Sequence, residues 1–257
     1  YTSSGFVAGG KLFNNLFGLD YTVSLVITAG IVVFYTFLGG FLAVSWTDCI
    51  QGALMFFAIL AVPITAAMYL GGPIDTMQLI QSEFPQGLNL WGDTSDMFAL
   101  VIGIISSLGW GLGYFGQPHI LVRFMAISDA KELKKSTNIA MVWVILSLLA
   151  AIFVGLIGHV YMLPEKLVGT DAETIFLVMT ERLFTPFMAG LIWSAVLAAI
   201  MSTASAQLLV TASAIANDFY ANIIHKTATD QELVLVSRIV VLVVAAISIF
   251  LALNPDS

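Results

Sequence analysis

Ser107–Pro118 reads SLGWGLGYFGQP: four glycines, a proline, a tryptophan and a tyrosine in twelve residues. The string lies inside Met97–Val122, which contains no Asp, Glu, Lys or Arg. That is long enough for a transmembrane helix, which needs about 20 mostly apolar residues. Gly109, Gly111, Gly113, Gly116 and Pro118 are nevertheless poor residues for holding a helix together. Inside hydrocarbon a freed peptide group is very costly unless protein or a polar cavity satisfies it. The segment therefore reads as a helix that breaks at the glycines around Trp110, deep in the bilayer, and leaves peptide groups there for a solute. Broken helices of this kind build substrate sites near the membrane midplane. A kinked helix with its glycines at packing contacts is the alternative reading.

The rest of the chain sets that segment in a membrane. Of 257 residues 59% are hydrophobic and 10% charged, against about 25% charged in soluble domains. This is the composition of a polytopic, all-α membrane protein. The net charge of −7 lies mostly in the loops and points to no nucleic-acid partner. Cys49 is the lone cysteine, so no internal disulfide forms and no metal-ligand spacing exists. The chain opens on Tyr1 without a signal-like leader and closes on LNPDS directly behind an apolar segment. It reads as an internal piece of a longer protein.

Charge-free runs lie at Tyr21–Thr47, Cys49–Ile74, Met97–Val122, Ser136–Pro164 and Leu183–Asn217, with a further span near Leu233–Leu253. Gly39-Gly40 and Ser45–Asp48 mark a turn between the first two. The expectation is one transmembrane domain over residues 1–257, with six full spans and one partial helix. Helices are placed at about 1–15, 21–42, 45–71, 97–117, 136–163, 184–216 and 232–253. Gly71–Asp96 carries four acidic residues and no Lys or Arg, whereas His119–Lys135 carries Arg123, Lys131, Lys134 and Lys135. By the positive-inside rule the second loop is cytoplasmic and the first external. Alternation then leaves only Lys11, Lys166 and Arg182 of the nine basic residues outside. Asp171–Phe184 reads as a short amphipathic helix at the outer interface, with Ile175, Phe176, Val178, Met179 and Leu183 on one face.

No catalytic set emerges. His119, His159 and His225 stand apart from any carboxylate and nucleophile at helical spacing, and there is no GxxxxGK[ST] phosphate loop. Ala189–Tyr220 is more informative. Its small residues let helices approach closely, but its hydroxyls also suit a dehydrated Na⁺, which takes oxygen ligands from side chains and freed carbonyls. Residues i, i+3 and i+4 share a helix face, which places the Ala199 carbonyl, Ser202 and Thr203 to converge on one ion. Tyr1 heads a polar patch, Thr2–Gly5, on a membrane helix. Asp48 reads as a solvated carboxylate or helix cap at a cytoplasmic turn.

Three stretches, YTFLGGFLAVSWTD (Tyr35–Asp48), LGWGLGYFGQPHILVRFMA (Leu108–Ala126) and AAIMSTASAQLLVTASAIANDFY (Ala198–Tyr220), closely resemble the sodium:solute symporter family. The resemblance runs from end to end, and the glycine–aromatic string is specific for the branch that carries proline. It implies part of a LeuT-like inverted-repeat transporter core, covering the fourth to tenth of thirteen helices. It implies sodium-coupled import of L-proline by alternating access, with Na⁺ as coupling ion and no other cofactor. Trp110, Tyr114, Pro118 and Tyr1 would line the substrate site, and Ala199, Ser202 and Thr203 would bind sodium. Asp48 matches a loop aspartate linked to transport. The partners are then proline, Na⁺ and the lipid bilayer, with no nucleic acid and no obligate protein partner, in a bacterial inner (plasma) membrane. Another small solute, a transporter-like sensor or, least supported, a membrane-embedded enzyme are the competing readings.

Overall fold

The computed structural model describes residues 1–89, 97–114, 116–165 and 169–254, with backbone alone at Trp110, Thr170 and Asp171. Lys166, Asp93 and Asp96 of the expected outer loops fall outside them. The described residues are helical and contain no strand: α1 (Thr2–Phe17), α2 (Tyr21–Tyr69), α3 (Pro73–Glu83), α4 (Met97–Tyr114), α5 (Pro118–Met125), α6 (Leu133–Tyr161), α7 (Ile175–Leu183), α8 (Pro186–Ser213) and α9 (Asp230–Ala252). Short 3-10 turns and one π-helix, Ala214–Ile224, fill part of the connections.

Five helices among the described residues are long and apolar enough to cross a membrane. One of them, α2, has 49 residues, about 74 Å at 1.5 Å per residue, more than twice the ~30 Å hydrocarbon core. It is two spans. The bend is Gly40, at φ 56 and ψ −154, a conformation open essentially to glycine alone. The sequence placed a turn over Gly39–Asp48; the structure puts the whole change of direction into Gly40, and Phe41 onward is helical again. The polar run stays helical because its hydroxyls bond backwards: Ser45 Oγ donates to the Phe41 carbonyl at 2.8 Å, and Thr47 Oγ1 to those of Ala43 and Val44. Large apolar side chains such as Phe34, Leu42, Phe57, Leu148 and Phe250 stand exposed, as a surface facing lipid requires. This is a multi-pass membrane protein.

The chain divides into two compact units, residues 1–55 with 194–257, and residues 56–193. In the first, Phe6, Leu25, Ala29, Val32, Ala204, Leu208, Ala245 and Ala252 form a buried cluster joining α1, α2, α8 and α9. Glycines allow α1 to lie close: a Cβ on Gly9 would stand 2.3 Å from Thr28 Cγ2. Tyr21 donates to the Ala252 carbonyl at 2.7 Å, tying the start of α2 to the end of α9. At the start of α9, Thr229 caps the Glu232 amide, and the Glu232 carboxylate receives Tyr220 at 2.7 Å and lies 3.0 Å from His225 Nδ1.

In the second unit α3 returns along the end of α2, and Phe84 stacks on His159 of α6 with centroids 4.0 Å apart. The predicted amphipathic helix is α7, preceded by a 3-10 turn over Gly169–Thr174. Its Met179 is buried, and Ile175 and Met179 press on Gly158 of α6. Leu60, Met68, Thr76, Leu149 and Phe153 line an apolar cavity of about 370 Å³.

Candidate functional site

The small-residue helix α8 supplies the first element. Ala195, Ala198, Ala204, Ser205, Ala206 and Leu208 are buried, so one side of the helix is committed to packing. Ser202 is half-buried and Thr203 exposed, on the flank of that packed face. Ser202 Oγ and Thr203 Oγ1 each donate to the Ala199 carbonyl at 3.1 Å. Three oxygens named from the sequence thus stand together on one turn. Ala199 O is also the helical acceptor of the Thr203 amide within an unbroken α8. Either hydroxyl can therefore turn its proton away without leaving that carbonyl unpaired, and its lone pairs are then free for a cation.

Tyr1 stands just before α1 as its N-terminal cap residue, and its carbonyl accepts the Gly5 amide at 2.9 Å. One turn on, a Cβ on Gly5 would lie 3.5 Å from Ala204 Cβ and 4.0 Å from the Ile200 carbonyl. Helix α1 thus passes α8 beside the turn that holds Ser202 and Thr203, in the same unit. The Tyr1 side chain is 70% exposed.

Trp110, Tyr114 and Pro118 belong to the other unit. The chain breaks there, but not at the glycines around Trp110. Helix α4 runs unbroken through Gly109, Gly111 and Gly113 to Tyr114, and none of those glycines has positive φ. Helix α4 ends at Tyr114 and α5 starts at Pro118; between them Gly116 N donates to Gly113 O at 3.2 Å and Gln117 N to Tyr114 O at 3.3 Å. Glycine weakens a helix by only about 1 kcal/mol per residue, and hydrocarbon offers its peptide groups no competing partner. Proline is the stronger breaker, because it disfavours helical geometry at the residue before it and has no N–H to donate. Gln117 accordingly sits at φ −73, ψ 112, with Pro118 in the first turn of α5. Trp110 and Tyr114 are four apart on continuous helix and share a face. Tyr114 is half exposed; the Trp110 side chain lies outside the described atoms.

Asp48 is not a loop residue. It lies within helix α2, half-buried, with one carboxylate oxygen shielded from solvent. One residue escaped the sequence reading: Tyr35, whose hydroxyl donates to the Met201 carbonyl at 2.9 Å; Ser205, one of the small residues of Ala189–Tyr220, is buried and its Oγ donates to the Ser202 carbonyl at 3.1 Å. The available signal was a phenol placed mid-span, since a buried Tyr hydroxyl usually finds a partner.

The sodium:solute symporter family model matches residues 1–257. The chain belongs to the sodium:solute symporter family. Among its relatives, the osmoregulated proline transporter OpuE of Bacillus subtilis is 49% identical over 257 residues, covering 100% of this chain and 51% of that protein. The high-affinity proline transporter PutP of Bacillus subtilis is 48% identical over 252 residues, 98% of this chain and 52% of the relative. A sodium/proline symporter of Staphylococcus aureus is 49% identical over 259 residues, 100% and 50% respectively. The chain spans about half the length of the curated relatives it matches. A solved Na⁺-coupled sialic acid symporter, substrate-bound and outward-open, superposes with a TM-score of 0.79 at 22% identity, over 96% of this chain and 54% of that one. That likeness establishes the fold of this chain: all-α, part of a LeuT-like inverted-repeat core.

Proposed function

We propose that the protein carrying this chain imports L-proline by sodium symport across a bacterial plasma membrane, with Na⁺ as coupling ion and no covalent chemistry. The observation that carries the reading is the convergence of the Ser202 and Thr203 hydroxyls on the Ala199 carbonyl, in a chain whose relatives at 46–49% identity bear the names of proline transporters.

Ala199, Ser202 and Thr203 contribute oxygen ligands to the ion. Trp110, Tyr114, Pro118 and Tyr1 are assigned to the substrate. Proline is a small zwitterion with an apolar ring. An indole and a phenol cover that ring, while peptide groups released near the Tyr114–Pro118 interruption suit its carboxylate and secondary amine. Asp48, half-buried in the second arm of α2, influences transport rather than contacting solute. Coupling is reciprocal: if Na⁺ stabilises the substrate-competent state, proline raises sodium affinity by the same factor that sodium raises proline affinity. Alternating access then releases both inside.

The test is uptake of labelled proline by the full-length transporter in proteoliposomes under an imposed Na⁺ gradient, against a panel of other amino acids. Ser202→Ala with Thr203→Ala should raise the Na⁺ concentration for half-maximal uptake on the order of tenfold, about 1.4 kcal/mol of lost ion binding. Tyr114→Ala should weaken proline affinity by a similar factor and leave Na⁺ dependence in place. An unaltered Na⁺ dependence in the first variant assigns its hydroxyls to packing. Unchanged proline affinity in the second removes the substrate assignment.

A further inference from the structure

We propose that Tyr35 is a positioning residue for sodium coupling: its hydroxyl fixes the height and rotation of the α8 turn that presents Ala199, Ser202 and Thr203. The inference rests on the reading of that turn as the ion site.

Tyr35 lies in the first arm of α2, five residues before the Gly40 bend. Its hydroxyl donates to the Met201 carbonyl at 2.9 Å, and Met201 stands between Ala199 and Ser202. Inside α8 that carbonyl already accepts the Ser205 amide, so the phenol takes its second lone pair. A second tie runs alongside. Within α8 the buried Ser205 hydroxyl donates to the Ser202 carbonyl at 3.1 Å. The turn is thereby stiffened along its own helix by Ser205 and located against another helix by the Tyr35 hydroxyl.

The ring itself packs against the buried cluster of Phe6, Val32, Ala204 and Leu208, as does Met201. Apolar packing fixes how near α2 and α8 lie, but small residues such as Ala204 leave sliding and rotation weakly specified. A directional hydrogen bond specifies both. An ion site tolerates ligand displacements of only about 0.5 Å, so a small rotation of α8 spreads the ligands while the fold stands. Phenylalanine at position 35 would fill the same volume, and the Met201 carbonyl would keep its helical partner. Only the directional constraint is lost.

The experiment compares Tyr35→Phe, Ser205→Ala and Ser202→Ala/Thr203→Ala in the full-length transporter. Readouts are proline uptake over a Na⁺ series and the Na⁺-induced rise in melting temperature of the purified protein. Tyr35→Phe is expected to raise the Na⁺ concentration for half-maximal uptake roughly threefold to tenfold, the range of one hydrogen bond. Maximal rate and proline half-saturation at saturating Na⁺ should stay within about twofold of the parent. Ser205→Ala should shift Na⁺ dependence in the same direction, and its melting readout serves if Tyr35→Phe accumulates poorly. Wild-type Na⁺ dependence in both single variants, while Ser202→Ala/Thr203→Ala is shifted, overturns the role of Tyr35 alone. A lowered maximal rate with unmoved Na⁺ half-saturation overturns it too, leaving a merely structural tie. If Ser202→Ala/Thr203→Ala is itself unshifted, the ion-site reading falls and this proposal with it.

Discussion

Gly9→Ala is the sharpest test of how α1 is seated. A Cβ at position 9 would stand 2.3 Å from Thr28 Cγ2, 3.2 Å from Thr28 Cβ and 3.3 Å from Thr28 Oγ1. Carbon atoms pack at about 3.5–4.0 Å, so the overlap with the methyl exceeds about 1 Å. Thr28 has little room to retreat. Its side chain is 1% exposed, and Oγ1 donates to the Ser24 carbonyl at 2.9 Å, which holds χ1. Overpacking of this kind costs about 1–3 kcal/mol, and the better helix propensity of alanine returns up to ~1 kcal/mol. A net loss of about 1–2 kcal/mol is expected. Thr28→Ser deletes the offending methyl and keeps the hydroxyl bond. Gly9→Ala/Thr28→Ser should therefore recover most of the loss, a coupling of about 1 kcal/mol. The assay is thermal unfolding of the detergent-solubilised transporter across the double-mutant cycle. A Gly9→Ala variant that melts like the parent, or one that Thr28→Ser fails to rescue, would refute the close α1–α2 contact.

Gly40→Ala should lose about 1–3 kcal/mol in the same melting assay. Nothing lies within 4 Å of its Cβ position, so the penalty is conformational and Gly40→Ser should match it. Gly158→Leu forces a branched side chain onto Ile175 Cδ1 and Met179 Sδ, at 2.6 and 2.9 Å from the Cβ position. It should loosen α7 by about 1–3 kcal/mol and speed proteolysis of the 162–185 segment, whereas Gly158→Ala, met only by flexible side-chain ends, should be milder.

Most of the fold was legible because hydrocarbon imposes a simple rule, that a span is long, apolar and poor in charge. Tyr21–Tyr69, Leu133–Tyr161 and Asp230–Ala252 obey it, and their helices follow. Boundaries set by a single backbone torsion were less legible. Gly39-Gly40 announced a bend, but which glycine takes it, and that Phe41–Asp48 stays helical, depends on hydroxyls bonding back to Phe41, Ala43 and Val44. The same blindness misplaced the interruption near Trp110. Glycine count suggested Gly109–Gly113, while the residue before Pro118 decided it. For the proposed ion turn, spacing alone grouped Ala199, Ser202 and Thr203, because i, i+3 and i+4 are fixed by helix geometry. Tyr35 was invisible, since it lies more than 160 residues away in sequence and only tertiary packing brings it to Met201.

A hydroxyl in a membrane helix is ordinarily self-contained. Thr28, Thr137, Thr180 and Thr211 each donate to the carbonyl four residues back, which satisfies the group and asks nothing of a neighbour. Such bonds say nothing about function. The Ala199 turn differs in its arithmetic: one carbonyl serves two hydroxyls and an amide, more donors than it has lone pairs. Crowded donors make each bond weaker, and so lower the cost of turning a hydroxyl outward toward a cation. The same turn is anchored from outside, through the Met201 carbonyl to Tyr35 of α2. Loosely held protons on firmly held oxygens are what reversible capture of a dehydrated ion requires. A tightly satisfied hydroxyl would resist the ion, and an unanchored turn would not hold its geometry long enough to select one.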